Sequence, residues 1–313
     1  MLSLGRFYLK SYTIFWLFWY LKHVNPAGNR TVPDFGKMYY VKGVISLPSY
    51  EIEEPFEAWY DFEGNRSRID YYNGTTRTFL IGNDLDYGAI YQIKPVLPPS
   101  DIKCFQLKGT KEEPIRPQSA MPDVQGFEFE KMEDCKGAQC EVWKTITEAG
   151  HKKNTYRLWV TRPEGNDAPA TPHRFEMEGF NTLLDSHNDK YSIEYSDFSS
   201  QTEPDVFTPP AGFTCEEFPD PPEQHQILAN PIQDYVSTNP VSHAHRMFGP
   251  FKEKFNRQYK SEEEHQEREI NFVQSFRFVN STNRKGLSFT VGINKRADWS
   301  RAETRKSKIP LVI

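Results

Sequence analysis

The sequence predicts an α+β protein: a β-rich antiparallel sheet domain, half-open and barrel-like or a sandwich, followed by a small α-helical domain. Three observations carry that expectation. Between about residues 37 and 198, aromatic and β-branched residues recur at period two. Turn formers separate these runs, with no convincing long helix between them. Beyond Phe248 the apolar period becomes that of a helix.

The first element is an apolar run, Thr13–Leu21, with Arg6 and Lys10 before it and Lys22 after it. A membrane-spanning helix needs about 20 apolar residues; a signal-peptide core needs only about 7–15 after a basic start. Residues 1–24 are therefore expected to be a signal peptide or signal anchor. Two further features agree with export. Asn29, Asn65, Asn73 and Asn280 each begin an Asn-x-Ser/Thr sequon and are glycosylation candidates. Cys104, Cys135, Cys140 and Cys215 are all disulfide candidates, with three pairings open. Cys135 and Cys140 close a short turn but lack the second cysteine pair and the histidines of a zinc site, so no metal is expected.

The strands come next. Tyr156–Val160 and Tyr191–Tyr195 alternate apolar and polar positions, and Arg66–Asp70 has its polar set on one face. Glu63-Gly64-Asn65, Asn73-Gly74 and Glu164-Gly165-Asn166 are the turns between such runs. Roughly ten strands are expected between residues 37 and 198, in a β-domain at residues 37–218. Short turns leave no room for the crossover helices of a parallel sheet. A half-open sheet is preferred to a closed sandwich, because the strands follow one another in simple succession. Pro204, Pro209, Pro210, Pro219, Pro221 and Pro222 then mark a change of character. Residues 219–247 read as a Pro-rich linker, with a short helical segment around Pro231–Val236, and Cys215 is placed to staple the stretch back to the β-domain.

The helical part begins at Ser261-Glu-Glu-Glu264, a capping box in which the Ser261 side chain accepts an N–H and Glu264 reaches back. Glu264, Arg268, Phe272, Ser275, Val279 and Asn283 follow at steps of 4, 4, 3, 4 and 4. These positions fall within a helical stripe about 100° wide. Glu264 and Arg268 also stand at ion-pair spacing. Glu, Arg and Asn on the same stripe as Phe and Val suit a helix crossed by another element whose backbone they bond. A solvated face does not need them at those steps.

Composition narrows the class further. A mean hydropathy of -0.71 excludes a multispanning membrane protein, and 14% aromatic residues exclude a disordered chain. Residues 251–313 carry 14 Lys/Arg and 8 Asp/Glu, a net of +6, leaving -11 on the remainder of a chain whose total is -5. Two parts of opposite charge are able to attract one another. No polyanion partner is indicated: the basic run Arg301, Arg305, Lys306 and Lys308 reads as a solvated end, and no nucleic acid is expected. His243-Ala-His245 lacks the carboxylate or third histidine of a metal site and reads as linker. No glycine loop for a phosphate is present, and no cofactor is expected.

The stripe Glu264-x3-Arg268-x3-Phe272-x2-Ser275-x3-Val279-x3-Asn283 resembles the helical signature of the inhibitory prodomain of papain-like cysteine proteases. Ser275 stands where that pattern has Asn, and Val279 where it has Ile. Gly292-x-Asn294-x-Arg296-x-Asp298 resembles the family's second, short motif, with Arg296 in place of an apolar residue. Phe248-x2-Phe251-x3-Phe255-x3-Tyr259 is similar to the first prodomain helix. The resemblance places a propeptide inhibitor domain at residues 248–300 and a divergent tail at 301–313. Glu54–Asp61, Arg66–Tyr72 and Gly179–His187 resemble the amino-terminal extension of one branch of those proteases, the 26/29 kDa protease and counting-factor-associated proteins.

In the family a catalytic domain follows, with a Cys nucleophile in a Cys-Gly-Ser-Cys-Trp context and then His and Asn. No cysteine follows Cys215 here and that string does not occur, so no catalytic residue is assigned and no peptidase activity is expected. The resemblance implies a secreted or lysosomal protein that occludes the cleft of a papain-like cysteine protease domain, in trans, or in cis if the chain is a truncated precursor. The alternatives are a truncated or alternatively spliced precursor of such an enzyme, and a β-domain that binds an apolar ligand through its aromatic residues. No membrane contact is expected beyond the amino-terminal segment.

Overall fold

The computed structural model describes residues 30–97, 101–163, 168–218 and 231–307. The chain divides into two units, Met1–Val32 and Pro33–Ile313, and all the elements below belong to the second. The expected signal segment at 1–24 and the Asn29 sequon lie outside the described residues.

The strands are β1 Met38–Leu47, β2 Ile52–Asp61, β3 Arg66–Tyr71, β4 Thr76–Ile81, β5 Ala89–Val96, β6 Asp101–Lys108, β7 Glu128–Cys135, β8 Ala138–Ala149, β9 Lys152–Thr161, β10 Thr171–Asn181, β11 Ser186–Ser199 and β12 Cys215–Glu217. They form one sheet in the order β12-β6-β5-β4-β3-β2-β1-β11-β10-β9-β8-β7. Two antiparallel meanders, β1–β6 and β7–β11, are thus joined where β1 pairs with β11, Ile45 facing Ile193. The sheet is open, β12 and β7 being its two edges. The strand-and-turn pattern read from the sequence is present: β9 and β11 alternate buried and half-buried positions, and Asn73-Gly74 turns β3 into β4. Asn73 and Gly74 both take positive φ, which is why a short hairpin favours this pair.

Among the described strands only β12 is parallel to its neighbour, β6. Cys215 lies opposite Cys104 in that register, Cα atoms 4.5 Å apart, and the two form a disulfide. Cys135 and Cys140 form the second, across the β7–β8 hairpin.

The core lies on one face of the sheet and draws on both meanders, including Tyr71, Tyr156, Phe175 and Trp143. It is covered by the loop around Ala120–Met121 and by a short helix, α1 Ile232–Val236, whose Ile232, Tyr235 and Val236 are buried in it. Buried tyrosines hold both covers by their backbone. Tyr39 Oη accepts the Ala120 N–H at 2.8 Å, and Tyr195 Oη donates to the Ala120 carbonyl at 3.0 Å. Tyr71 Oη accepts the Ile232 N–H at 3.2 Å, and Tyr191 Oη donates to the Tyr235 carbonyl at 2.9 Å. The aromatic residues expected to line an open concave sheet are therefore occupied by the chain's own segments. Residues 231–247, expected as linker, contribute to the core instead, because Ile232, Tyr235 and Val236 have this apolar face to bury against.

Four further helices follow: α2 His243–Arg246, α3 Phe248–Lys254, α4 Glu262–Arg284 and α5 Arg301–Lys306. No helix among the described residues is long and apolar enough to cross a membrane.

Candidate functional site

Helix α4 begins where the sequence places it. Ser261 is the N-cap, its Oγ accepting the Glu264 N–H at 3.2 Å. The return bond differs from the expected box: the Glu264 carboxylate takes the Lys260 N–H at 2.8 Å. Three carboxylates in the first turn suit the positive end of the helix.

The stripe from Glu264 to Asn283 faces the rest of the helical part. Phe272 is buried between Phe248 and Phe251, with ring centroids 5.4 and 4.7 Å away. Arg268 makes a two-pronged pair with Glu303, at 2.7 and 2.9 Å, and donates to the Asp298 carbonyl at 3.2 Å. Its expected partner Glu264 is farther, at 3.7 Å. The Asp298 carboxylate is buried and accepts from Tyr259 Oη at 2.9 Å and Arg257 Nη2 at 3.1 Å. Asn283 clamps the extended segment beyond α4: it accepts the Val291 N–H at 2.8 Å and donates to the Val291 carbonyl at 2.9 Å. Asn294 Oδ1 accepts the Arg296 N–H at 2.8 Å, turning the chain toward Asp298. Ser275 reaches the sheet side instead, 3.4 Å from Tyr50 Oη, and Val279 is buried. Gly292 is exposed, with open space where a Cβ would stand.

Glu264, expected to bond a crossing element, takes the Lys260 N–H instead, whereas Arg268 and Asn283 do bond one, the segment from Val291 to Glu303. The tail read as divergent from residue 301 is part of it. Ser300 and Glu303 form a reciprocal capping box for α5, and the same Glu303 carboxylate holds Arg268. The Arg268 hydrogen bonds outweigh burial and, with Ser300, bring the Glu303 carboxyl from 4.5 to about 2.

A second stripe on α4, which the sequence does not single out, fastens the helix to the sheet. Gln266 accepts from Asn181 Nδ2 at 3.1 Å, and Glu269 pairs with Lys152 at 2.8 Å. Arg277 pairs with Asp189 at 2.8 Å, its guanidinium over the rings of Tyr191 and Tyr235. Ser281 shares a 2.6 Å hydrogen bond with Tyr72 Oη. Arg284 pairs with Glu54, Nη2 to Oε2 at 2.8 Å and Nε to Oε1. These partners sit on or beside β9, β10, β11, β3 and β2, so the helix crosses the strands close to their order in the sheet. The dimensions agree: from Gln266 to Arg284 the helix rises about 27 Å, and the five strand spacings from β9 to β3, at about 4.8 Å each, make about 24 Å. The partners of this stripe lie far away in sequence, where no local pattern records them.

The remaining candidates occupy other places. His243 and His245 stand two apart on α2, so their rings point to different sides: His245 Nδ1 caps Ser242, while His243 is buried against Phe276. They do not converge on a metal. Asn73 is exposed at its hairpin tip, Asn65 packs on Gly82, and Asn280 is half-buried within α4.

The two histidines give the joint a pH dependence. Burial first, then the charges of Arg277, Lys152 and Arg246, hold His245 well below its ordinary pKa. Burial also lowers His243, against the pull of Asp234. The unfolded chain protonates both below about pH 6.5 while the folded chain resists. Their contribution to stability is therefore present above that pH and lost as pH falls toward the folded values. Glu303 acts over a lower range: its contribution is present above about 4.5 and is lost only as pH falls toward about 2. Urea midpoints are expected to fall between pH 7.5 and 5.5. The fall should be shallower in His245→Asn, whose amide oxygen can replace the Nδ1 acceptor; equal slopes would remove His245 from the account.

The helical part is a capped helix clamped by a returning segment through Arg268, Asn283 and Asp298. Residues 248–304 match the family model of the cathepsin propeptide inhibitor domain (I29). The sheet lies outside that match. A solved structure, the crystal structure of an uncharacterized conserved protein from Thermus thermophilus, is 8% identical with a TM-score of 0.35, covering 58% of this chain and 91% of that chain. At that level it carries no argument here.

Proposed function

We propose that residues 248–304 bind and occlude the active-site cleft of a papain-like cysteine endopeptidase, and that the sheet serves as the frame that keeps them folded. The observation that carries this reading is the clamp of Arg268, Asn283 and Asp298 within a segment matched by the propeptide inhibitor model. The inhibitor acts on an enzyme in trans, or in cis where a catalytic domain belongs to the same polypeptide. The chain itself is assigned no catalytic residue and works as a binding protein.

Two disulfides and an exposed Asn73 sequon support a route through the secretory pathway to the lysosome or outside the cell. The test is a titration of the full chain against a papain-like endopeptidase with a fluorogenic peptide substrate. Stoichiometric loss of activity below micromolar protein is expected. Full activity at micromolar protein would overturn the proposal.

A further inference from the structure

A groove of about 760 Å³ runs between the β1–β2 turn and the helical part, within the roughly 300–1,000 Å³ of small-molecule sites. Its apolar wall is aromatic: Tyr50, Phe278, Phe289 and Trp299 line it, and Phe289 is 53% exposed. Three guanidiniums line it as well, those of Arg296, Arg301 and Arg305. Arg296 lies over the Trp299 ring at 5.1 Å and Arg301 over the Tyr50 ring at 5.4 Å. Among the described residues none of the three pairs with a carboxylate, and Glu51 is the one acidic residue in the lining. Three cations beside an apolar trough call for an anion with an apolar body.

The backbone of the groove argues for a small amphiphile over a peptide strand. Val291, in the extended lip, has both its N–H and its carbonyl taken by Asn283. That position has neither donor nor acceptor left for an added strand, and the lining offers aromatic surface and guanidinium.

We propose that this groove binds a single-chain anionic amphiphile, its carboxylate or phosphate head held by Arg301 and Arg305 and its chain laid along Tyr50, Phe278 and Trp299. Oleate and a monoalkyl phosphate probe the two head groups. Each is titrated below its micelle concentration into the full chain, with Trp299→Phe as the blank for fluorescence arising in the groove. Saturable binding with a change in Trp299 emission is expected. The double variant Arg301→Gln/Arg305→Gln should bind at least tenfold more weakly, and oleyl alcohol should bind the unchanged chain as weakly as that variant binds oleate. Both arginines are exposed, and an unchanged urea midpoint confirms that the variant is folded. Equal affinity for oleate and oleyl alcohol, or an undiminished affinity in the folded double variant, would overturn the proposal. So would binding of an acidic aromatic peptide with none of either amphiphile, or self-association of the chain through Phe289 that excludes both.

Discussion

Glu54→Ala is expected to cost about 3–5 kcal/mol of stability, because it strips the counter-charge from a buried guanidinium. Glu54 is 0% exposed and Arg284 7%. The pair closes on two hydrogen bonds, with the Arg284 guanidinium over the Tyr71 ring and its carbonyl accepting from Thr76 Oγ1. Without the carboxylate, Arg284 keeps its charge and has lost what compensated it. The double variant Glu54→Leu/Arg284→Met removes both charges at similar volume and should recover most of the loss. Urea unfolding measures the stabilities, and hydrogen exchange locates the effect at the last turn of α4 and at β2. A loss below about 1 kcal/mol in the single variant, or no recovery in the double, would show that the pair does not hold helix to sheet.

The second large effect concerns the opposite face of the same helix. Phe272→Ala empties the centre of the aromatic cluster formed with Phe248, Phe251 and Phe276, a change that typically costs about 3–5 kcal/mol. The two faces should separate in this variant. Helix α3 loses its packing partner and should exchange its amides fast. Helix α4 should stay protected, since Lys152, Asp189 and Glu54 still hold it on the sheet. Inhibition of the peptidase should weaken at least tenfold. Equal loss of protection in α3 and α4 would mean that the sheet does not anchor the helix independently.

The two faces of α4 also show what was legible. Sequence spacing exposes the stripe from Glu264 to Asn283 because its residues recur within one helix, and Arg268 and Asn283 find their partners 35 and 8 residues away. It exposes β9, β11 and the Asn73-Gly74 turn, because alternation and positive φ are local matters. About ten strands were expected between residues 37 and 198, where eleven are described, and β12 lies beyond that range. Two of the described strands are poor in that signal: β12 is three residues long, and β7, EFEKMEDC, is an edge strand with little buried surface.

The reading of residues 219–247 as linker placed a short helix around Pro231–Val236, where α1 stands, but not its burial in the core. Proline density signals a break in regular structure but says nothing about the apolar face that receives Ile232 and Tyr235. Tyr39, Tyr71, Tyr191 and Tyr195 were similarly visible as an aromatic surplus. What their hydroxyls bond, the backbone of Ala120, Ile232 and Tyr235, depends on which loops are laid over the sheet.

The linear order of residues was enough for the α+β class, the hairpin turns, the start of α4 at Ser261 and the propeptide signature along one of its stripes. Those features rest on interactions spanning a few residues, whose period or cap chemistry a linear pattern records. It took the folded chain to reveal that β1 pairs with β11, that Arg277 and Arg284 face Asp189 and Glu54, and that three arginines converge beside Tyr50 and Trp299. Desolvation explains the division for the charged pairs. A buried charge must find its counter-charge wherever the folded chain brings one, and here the partners stand 88 and 230 residues away.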